Sequence, residues 1–524
     1  MVVFRLIRTF CMAWTSGFVI AAGAQTPPQK TPQSAQEWYA LGQAAVQRNM
    51  ALKANTNRAK NVILFIGDGM GISTVTAARI LEGQQRGVDG EANRLTFEQL
   101  PYSAFSVTAS ANQQTSDSAP TATALMTGAK ANDGAISVDQ SIRGNETDAA
   151  ITAAKRLKSL LEHAEERGLS TGIVTTARVT HATPASSYAH VADREWESDA
   201  QLPPRATVKD IARQLIDFSY GNGIEVVLGG GRANFLPNNH PDPEHVGING
   251  VRQDRQNLTA EWTRKHSNSA YIWNQKQFDA IDPRKTDHLL GLFEPSHMRY
   301  EIDRSQDRAG EPSLADMTGK AIDILKRNSK GYFLMVEGGR IDHAHHAGNA
   351  YRALTETIAL SAAVKKAQEM TSDQDTLIVV TADHSHTLTM VGYPSRGNPI
   401  LGKAAFGGQP LRDRNGLPYT TLSYANGPGV IYDGSRREFE SATETAVEVR
   451  SENRGRRPNL TNVDTTRPSY MQEGVVPMES ETHGGEDVPI YAGGPHAYLF
   501  RGALEQHVVF HVIAEAYDWN QTAR

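Results

Sequence analysis

Apolar residues along this chain gather into short unbroken runs separated by longer stretches of helical periodicity. The runs are "NVILFI" (61–66), "TGIVTT" (171–176), "IEVVLGG" (224–230), "YFLMVE" (332–337) and "TLIVVTA" (376–382). Such runs are apolar or β-branched throughout, as strands covered on both faces must be. Between them, 149–167 and 205–218 read as helices. A third helix opens at "PSLAD", where Ser313 and Asp316 form a capping pair. This alternation predicts an α/β protein with a largely parallel sheet. From about 391 to 480 the rhythm fails, and Gly, Pro, Arg and polar residues dominate around short pieces such as "YTTLSYA". That stretch reads as an inserted subdomain, leaving 25–390 and 481–524 as the main unit. Ahead of the first strand, "AQEWYALGQAAVQRNMALK" (35–53) predicts an amphipathic helix, either embracing a partner subunit or packed on its own core.

Composition narrows the class. The 524 residues suffice for one large domain with insertions. Lys and Arg total 53 against 58 Asp and Glu, a net charge of −5, and no basic run is long enough to track a nucleic-acid backbone. Arg5 and Arg8 flank an apolar stretch through Ile20 that ends in "AAGA", so residues 1–24 read as a cleaved signal peptide and the mature chain as periplasmic or secreted. The single cysteine, Cys11, falls inside that peptide, which leaves no thiol for a disulfide. No apolar tail follows "YDWNQTAR", so no lipid or membrane anchor is expected in the mature chain.

In open α/β sheets, ligands bind at the carboxyl ends of the strands, and here those ends carry the chemistry. "GDGMG" with Asp68 follows the first run, Glu337 closes the fourth, and "TADHSH" with Asp383, His384 and His386 follows the fifth. The glycines of "GDGMG" lack dinucleotide-loop spacing, because position 72 is Ile. "EGGRIDHAHH" (337–346) packs two acids and three histidines into ten positions. Asp342 and His346, four apart, share one helix face and can grip one ion, while Glu337 reaches a neighbouring one. Mixed histidine and carboxylate ligands suit Zn²⁺; carboxylate with hydroxyl and water suits Mg²⁺.

"TSDSAPTATALMTG", "RVTHATPASSYAHVADREW", "VEGGRIDHAHH", "TADHSH" and "ETHGGEDV" occur in the order of one family. Together they resemble alkaline phosphatase, the animal and marine bacterial branch more than the enteric one, over about residues 58–517. The resemblance implies a three-layer α/β sandwich with a crown-like insert, a homodimer, and hydrolysis of many phosphate monoesters at alkaline pH. It implies Ser118 as the nucleophile, phosphorylated in turnover, and Arg194 as the phosphate clamp. Asp342, His346 and His483 would hold one zinc; Asp68, Asp383 and His384 would hold a second that also contacts Ser118. Magnesium would share Asp68 and add Thr183 and Glu337. His181 and His343, where the enteric branch has Asp and Lys, would stand near substrate in a water network, and His386 would lie just outside the metals. A remote calcium would take Glu244, Glu294, the carbonyl of Phe293, and either Glu311 or Asp307.

The residues agree with this reading. No GxSxG elbow or Ser–His pairing supplies a base for Ser118, so a metal must activate it. Ser118 opens a helical stretch with Pro120 in its first turn, where phosphoryl oxygens meet positive potential. A sulfatase would need a C/S-x-P-x-R context, but "APTAT" follows Ser118. Because fold and metals do not by themselves fix function, three further activities compete with this one. They are a phosphodiesterase of the same superfamily, a phosphoglycerate mutase with a manganese-type metal set, and a phosphate scavenger without turnover. "N-x-T" at Asn145, Asn257, Asn459 and Asn520 carries little meaning outside a eukaryotic secretory pathway.

Overall fold

The computed structural model describes residues 31–429, 436–440, 444–449 and 457–519. The signal peptide assigned to 1–24, Cys11 and Asn520 lie outside the described residues. The five apolar runs all form strands of one ten-stranded sheet: β1 (Asn61–Gly67), β3 (Ser170–Arg178), β4 (Val226–Gly230), β7 (Tyr332–Gly338) and β8 (Thr376–Ala382). The rest are β2 (Tyr102–Val107), β5 (Ser269–Ile272), β6 (His288–Leu292), β9 (Val488–Gly493) and β10 (Ala503–Glu505). Their spatial order is β10-β2-β9-β8-β1-β7-β3-β4-β6-β5. Only β9 runs antiparallel to its neighbours β2 and β8 in this sheet.

Side chains alternate across β1. Val62, Leu64 and Ile66 join a core beneath helices Ser118–Thr127, Leu160–Glu166, Ile211–Asp217 and Val508–Ala516. Ile63 and Phe65 join a second core beneath Ile72–Gln85, Leu314–Leu325 and Ala350–Met370. The result is the three-layer sandwich expected. Each fully buried Leu, Ile or Phe contributes roughly 1.5–3 kcal/mol, which is why β1, buried at all seven positions, is continuous apolar sequence from Val62 to Ile66, while buried Asn61 donates to Thr376 Oγ1.

Two helices are shorter than their periodicity predicts. The stretch 149–167 is broken between Ala154 and Leu160, because Arg156 bridges to Val138, with Leu157 N–H donating to the Ser137 carbonyl at 2.9 Å. The chain restarts as helix at a capping box, Ser159 with Glu162. The stretch 205–218 becomes helical only at Ile211, where the Asp210 carboxylate caps the backbone N–H of Arg213 at 2.8 Å. Ser313 caps its helix as predicted. Helix Ala35–Ala51 forms but buries none of its residues, with Trp38, Tyr39, Val46 and Met50 exposed, so packing on its own core is not what it does. Among the described residues of 391–480 there are only short ribbons, Arg436–Glu440 with Thr445–Val449 the longest. The two ends of that stretch meet where His483 and Gly484 pair with His386 and Ser385.

On the edge of β3 and β4 away from the strand ends that carry the chemistry, two acids are buried together. Glu165 accepts from Thr171 Oγ1 at 2.6 Å, and Glu225 from Thr171 N–H at 2.7 Å and Ser170 Oγ at 3.0 Å. Burial first, then the charge of Glu225, pushes Glu165 up to about 9. Between the ordinary carboxyl value and about 9 the folded chain therefore binds more protons than the unfolded one, so stability falls as pH rises through that window. Glu165→Gln keeps an acceptor for Thr171 and a donor for Glu225 without titrating. Its melting temperature is expected to fall less than that of the wild type between pH 7 and 10; parallel curves would refute the shared proton.

Candidate active site and metal centres

The carboxyl ends of the four central strands, β3, β7, β1 and β8, lie level, because Ile66 registers with Glu337 and Thr381, and Glu337 with Thr175. This brings together side chains from 68 to 384 in the sequence. Just past β1, Gly69 adopts φ +67° and a Cβ there would lie 2.3 Å from His386 Cδ2, so "GDGMG" is a tight turn under an imidazole and not a nucleotide loop.

Asp342 and His346 face the same way on helix Arg340–His346, with His346 Nε2 3.3 Å from Asp342 Oδ1. His483 Nε2 enters from the far end of the insert, 3.5 Å from the same oxygen and 3.2 Å from His346 Nε2. The other nitrogens are fixed by carbonyls: His346 Nδ1 donates to the Glu481 carbonyl at 2.5 Å and His483 Nδ1 to that of Ser116 at 2.7 Å. Since a carbonyl can only accept, both Nε2 atoms carry lone pairs in the neutral form. Two lone pairs and a carboxylate then converge, an arrangement that a cation satisfies.

The second cluster repeats this pattern. His384 Nδ1 donates to the Ser385 carbonyl at 3.1 Å, and Nε2 faces Asp68 Oδ1 at 3.3 Å and Asp383 Oδ2 at 3.4 Å. Ser118 Oγ lies 3.0 Å from that same Nε2 and 3.5 Å from Asp68 Oδ1. Ser118 is the first residue of a helix capped by the Asp117 carboxylate, and is 2% exposed. The third cluster is defined by what lacks partners: Asp68 Oδ2, Thr183 Oγ1 and Glu337 Oε1 are buried without a hydrogen bond. Unpaired buried acceptors are costly, and a hard cation with an oxygen shell meets all three.

The electrostatics point the same way. Burial, followed by Asp383, Asp342 and Glu337, raises Asp68 well above the usual carboxylate range. Burial also pushes Glu337 up to about 7 and Asp383 to about 6. Asp342 is held well below its ordinary value: burial opposes this, but His346, His386 and His483 surround it. Arg194 is a fixed cation acting on Asp68, yet Asp68, Asp383 and Glu337 stay raised, so the cluster is a place built for added positive charge.

Arg194 reaches in from beyond β3. Its Nη1 pairs with Asp117 Oδ1 and its Nη2 donates to His181 Nε2 at 2.8 Å. The rings of His181 and His343 lie 5.4 Å apart. The motifs did not single out His297, whose ring is 4.0 Å from His343, nor Arg178, whose backbone N–H donates to His297 Nδ1 at 3.2 Å. They also missed Glu481, which accepts from His386 Nδ1 at 2.5 Å while His386 Nε2 donates to Asp342 Oδ1 at 2.7 Å. His386 thus sits between Asp342 and Glu481, and its ring nitrogen falls within the same group as Asp342, His346 and His483; Thr175 steadies Glu337 through a short hydrogen bond. "ETHGGEDV" contained Glu481, but its partner is 95 positions away.

The remote acidic group assembles as well. Glu244, Glu294 and His245 bring ligand atoms together, and Glu294 is preceded by buried Phe293. Both candidates for the last ligand lie in the same group: Glu294 and Asp307 are charged neighbours of Glu311, and also of Glu244.

Comparison with known proteins adds three findings. The family model described as alkaline phosphatase matches residues 59–519. An alkaline phosphatase of Gadus morhua is 42% identical over 498 residues, covering 93% of this chain and 98% of that protein. The tissue-nonspecific isozyme of alkaline phosphatase from Rattus norvegicus is 44% identical over 490 residues, 91% of this chain and 88% of its own. Among solved structures, the alkaline phosphatase of Thermus thermophilus superposes with a TM-score of 0.61 at 22% identity, covering 94% of this chain and 96% of its own, a likeness of fold.

Proposed function

Because the chain belongs to the alkaline phosphatase family and is a phosphatase by that membership, we propose that it hydrolyses a broad range of phosphate monoesters at alkaline pH through a phosphoserine on Ser118. The observation that carries this reading is Ser118 Oγ at the head of a buried helix, 3.0 Å from an imidazole nitrogen whose tautomer is fixed and whose other neighbours are carboxylates. That nitrogen's lone pair faces the hydroxyl directly, and a cation held there with Asp68 and Asp383 would take up the lone pair and act on Ser118 in its place.

Zinc at Asp342–His346–His483 and at Asp68–Asp383–His384, with magnesium at Asp68–Thr183–Glu337, supplies Lewis acidity and charge neutralisation when bound. Ser118 Oγ gives its proton to solvent water as it attacks phosphorus in line; the phosphorus–alkoxide bond breaks, its electron pair leaves with the alkoxide, and the alkoxide takes a proton from water. Water then attacks the phosphoserine, losing a proton to solvent, and Ser118 Oγ departs with the electron pair of the phosphoester bond and is reprotonated. Through both steps the Arg194 fork, oriented by Asp117 and His181, grips two non-bridging oxygens. The N-terminus of helix Ser118–Thr127 faces the same group. His181 and His343 hold water beside it. No side chain in this set reads the alcohol, hence the breadth of substrate.

We take 25–390 and 481–524 as the catalytic unit and 391–480 as the crown-like insert. Exposed Trp38, Tyr39, Val46 and Met50 on helix Ala35–Ala51 support a homodimer in which this helix lies on the second copy. The reading of 1–24 as a signal peptide gives a periplasmic or secreted enzyme, and no helix among the described residues is long and apolar enough to cross a membrane. The decisive assay is release of p-nitrophenol from its phosphate ester at alkaline pH, lost on chelation and restored by zinc with magnesium. A phosphate scavenger would bind and release nothing, which would end this proposal.

A further inference from the structure

The remote cluster contains an atom that an all-oxygen calcium site does not use. His245 Nε2 lies 2.8 Å from Glu294 Oε2 and 3.7 Å from Glu244 Oε2. Zinc with ligands at about 2.0–2.2 Å has tetrahedral edges of about 3.4 Å, which these separations bracket. Three of the surrounding carboxylates have one oxygen anchored from outside. Arg299 Nε donates to Glu294 Oε1 and Arg299 N–H to Glu311 Oε1, both at 2.9 Å, and Ala309 N–H donates to Glu244 Oε1 at 3.3 Å. Glu311 Oε2 and Asp307 Oδ2 are buried with no hydrogen-bond partner, and Glu311 is only 2% exposed.

Positive charge nearby is already committed. Arg232, 3.5 Å from Glu244 Oε2, is engaged by Asp242 through both Nε and Nη2; Arg299 faces Glu294, Asp307 and Glu311, and Arg304, near Glu311, is paired with Glu301. A group of four buried or half-buried acids with one imidazole among them therefore calls for a dication. We propose that His245, Glu244 and Glu294, completed by Asp307 or Glu311, form a mixed imidazole–carboxylate site that holds zinc where the family resemblance implies calcium. Imidazole nitrogen is a poor ligand for a hard cation and a good one for zinc, whose affinity at nitrogen and oxygen sites also exceeds that of manganese. The location rests on the family reading; the imidazole ligand belongs to this chain.

The test uses the holoenzyme, dialysed against zinc, magnesium and calcium together and analysed for bound metal. Wild type is expected to retain one zinc per chain more than His245→Asn, which should take up calcium instead and bind zinc at this site at least about tenfold more weakly. Calcium in the wild type, or equal zinc in both proteins, overturns the proposal. A second readout is independent of stoichiometry: with manganese as probe and magnesium in excess, pulsed electron paramagnetic resonance should detect a ¹⁴N coupling that His245→Asn lacks. An identical ¹⁴N signal in both proteins also overturns it. p-Nitrophenyl phosphate turnover of His245→Asn should match wild type, which certifies its fold. Wild-type inactivity would refute the phosphatase reading separately, whatever the metal count.

Discussion

Ser118→Ala is expected to lower turnover by about 10³-fold while leaving phosphate and metal binding intact, a loss of about 4 kcal/mol in transition-state stabilisation. In the proposed mechanism the hydroxyl is the group that forms and breaks the covalent bond. The charge of the site resides elsewhere, in Arg194 and the carboxylate clusters. Ser118 is buried at a helix start, and Ala is tolerated at that position as a good helix former. Slow residual hydrolysis is compatible with this account, since water can attack the bound ester directly. Rapid-quench labelling with ³²P-ester should trap a phosphoprotein in the wild type and none in the variant. Full activity in Ser118→Ala would exclude the phosphoserine route.

Metal removal is expected to have the largest effect on stability. Asp68, Asp342, Asp383 and Glu337 are all buried within one region, 0–4% exposed. Without cations, burial and mutual repulsion raise Asp68, Asp383 and Glu337 above their ordinary carboxyl values. Each dication bound only by the folded state adds RT ln(1 + [L]/Kd), about 4 kcal/mol at a thousandfold excess over Kd. Chelated protein should therefore melt well below the loaded form in calorimetry. Asp68→Asn, which removes the ligand shared by two clusters, should narrow that gap and abolish turnover. Equal melting with and without chelator would mean that these clusters hold no structural cation.

Much of this site was legible because metal chemistry constrains residue types tightly. Asp342 and His346 could be paired from their spacing, since four residues on a helix is about one turn. The strands β1, β3, β7 and β8 were legible because burial on both faces leaves little choice but apolar sequence. Strands β5 and β6 were not: Ser269–Ile272 lies only partly buried at the sheet edge, and "HLLGL" is a five-residue run too short to separate from a helix. The breaks in 149–167 and 205–218 escaped periodicity because a long-range bridge at Arg156 and a cap at Asp210 decided them. For the remote site the sequence reading named acids and the carbonyl of Phe293 and passed over His245, which adjoins Glu244; its approach to Glu294 is set by the loop after Asp242 folding back.

By itself, then, the sequence determined five of the ten strands of the central sheet, the residue types at their ends, and the family to which their order belongs. Those are local quantities: burial pattern, helical spacing and motif order are all written in neighbouring residues. Tertiary structure alone decided which nitrogen of each histidine is free, because that depends on carbonyls of Glu481, Ser116 and Ser385 supplied by the folded backbone. It also decided that His386 stands between Asp342 and Glu481, and that an imidazole joins the remote carboxylates. Ligand direction and ligand identity at a distance are set by the register of strands and loops far apart in the chain, and no stretch of sequence holds that register by itself.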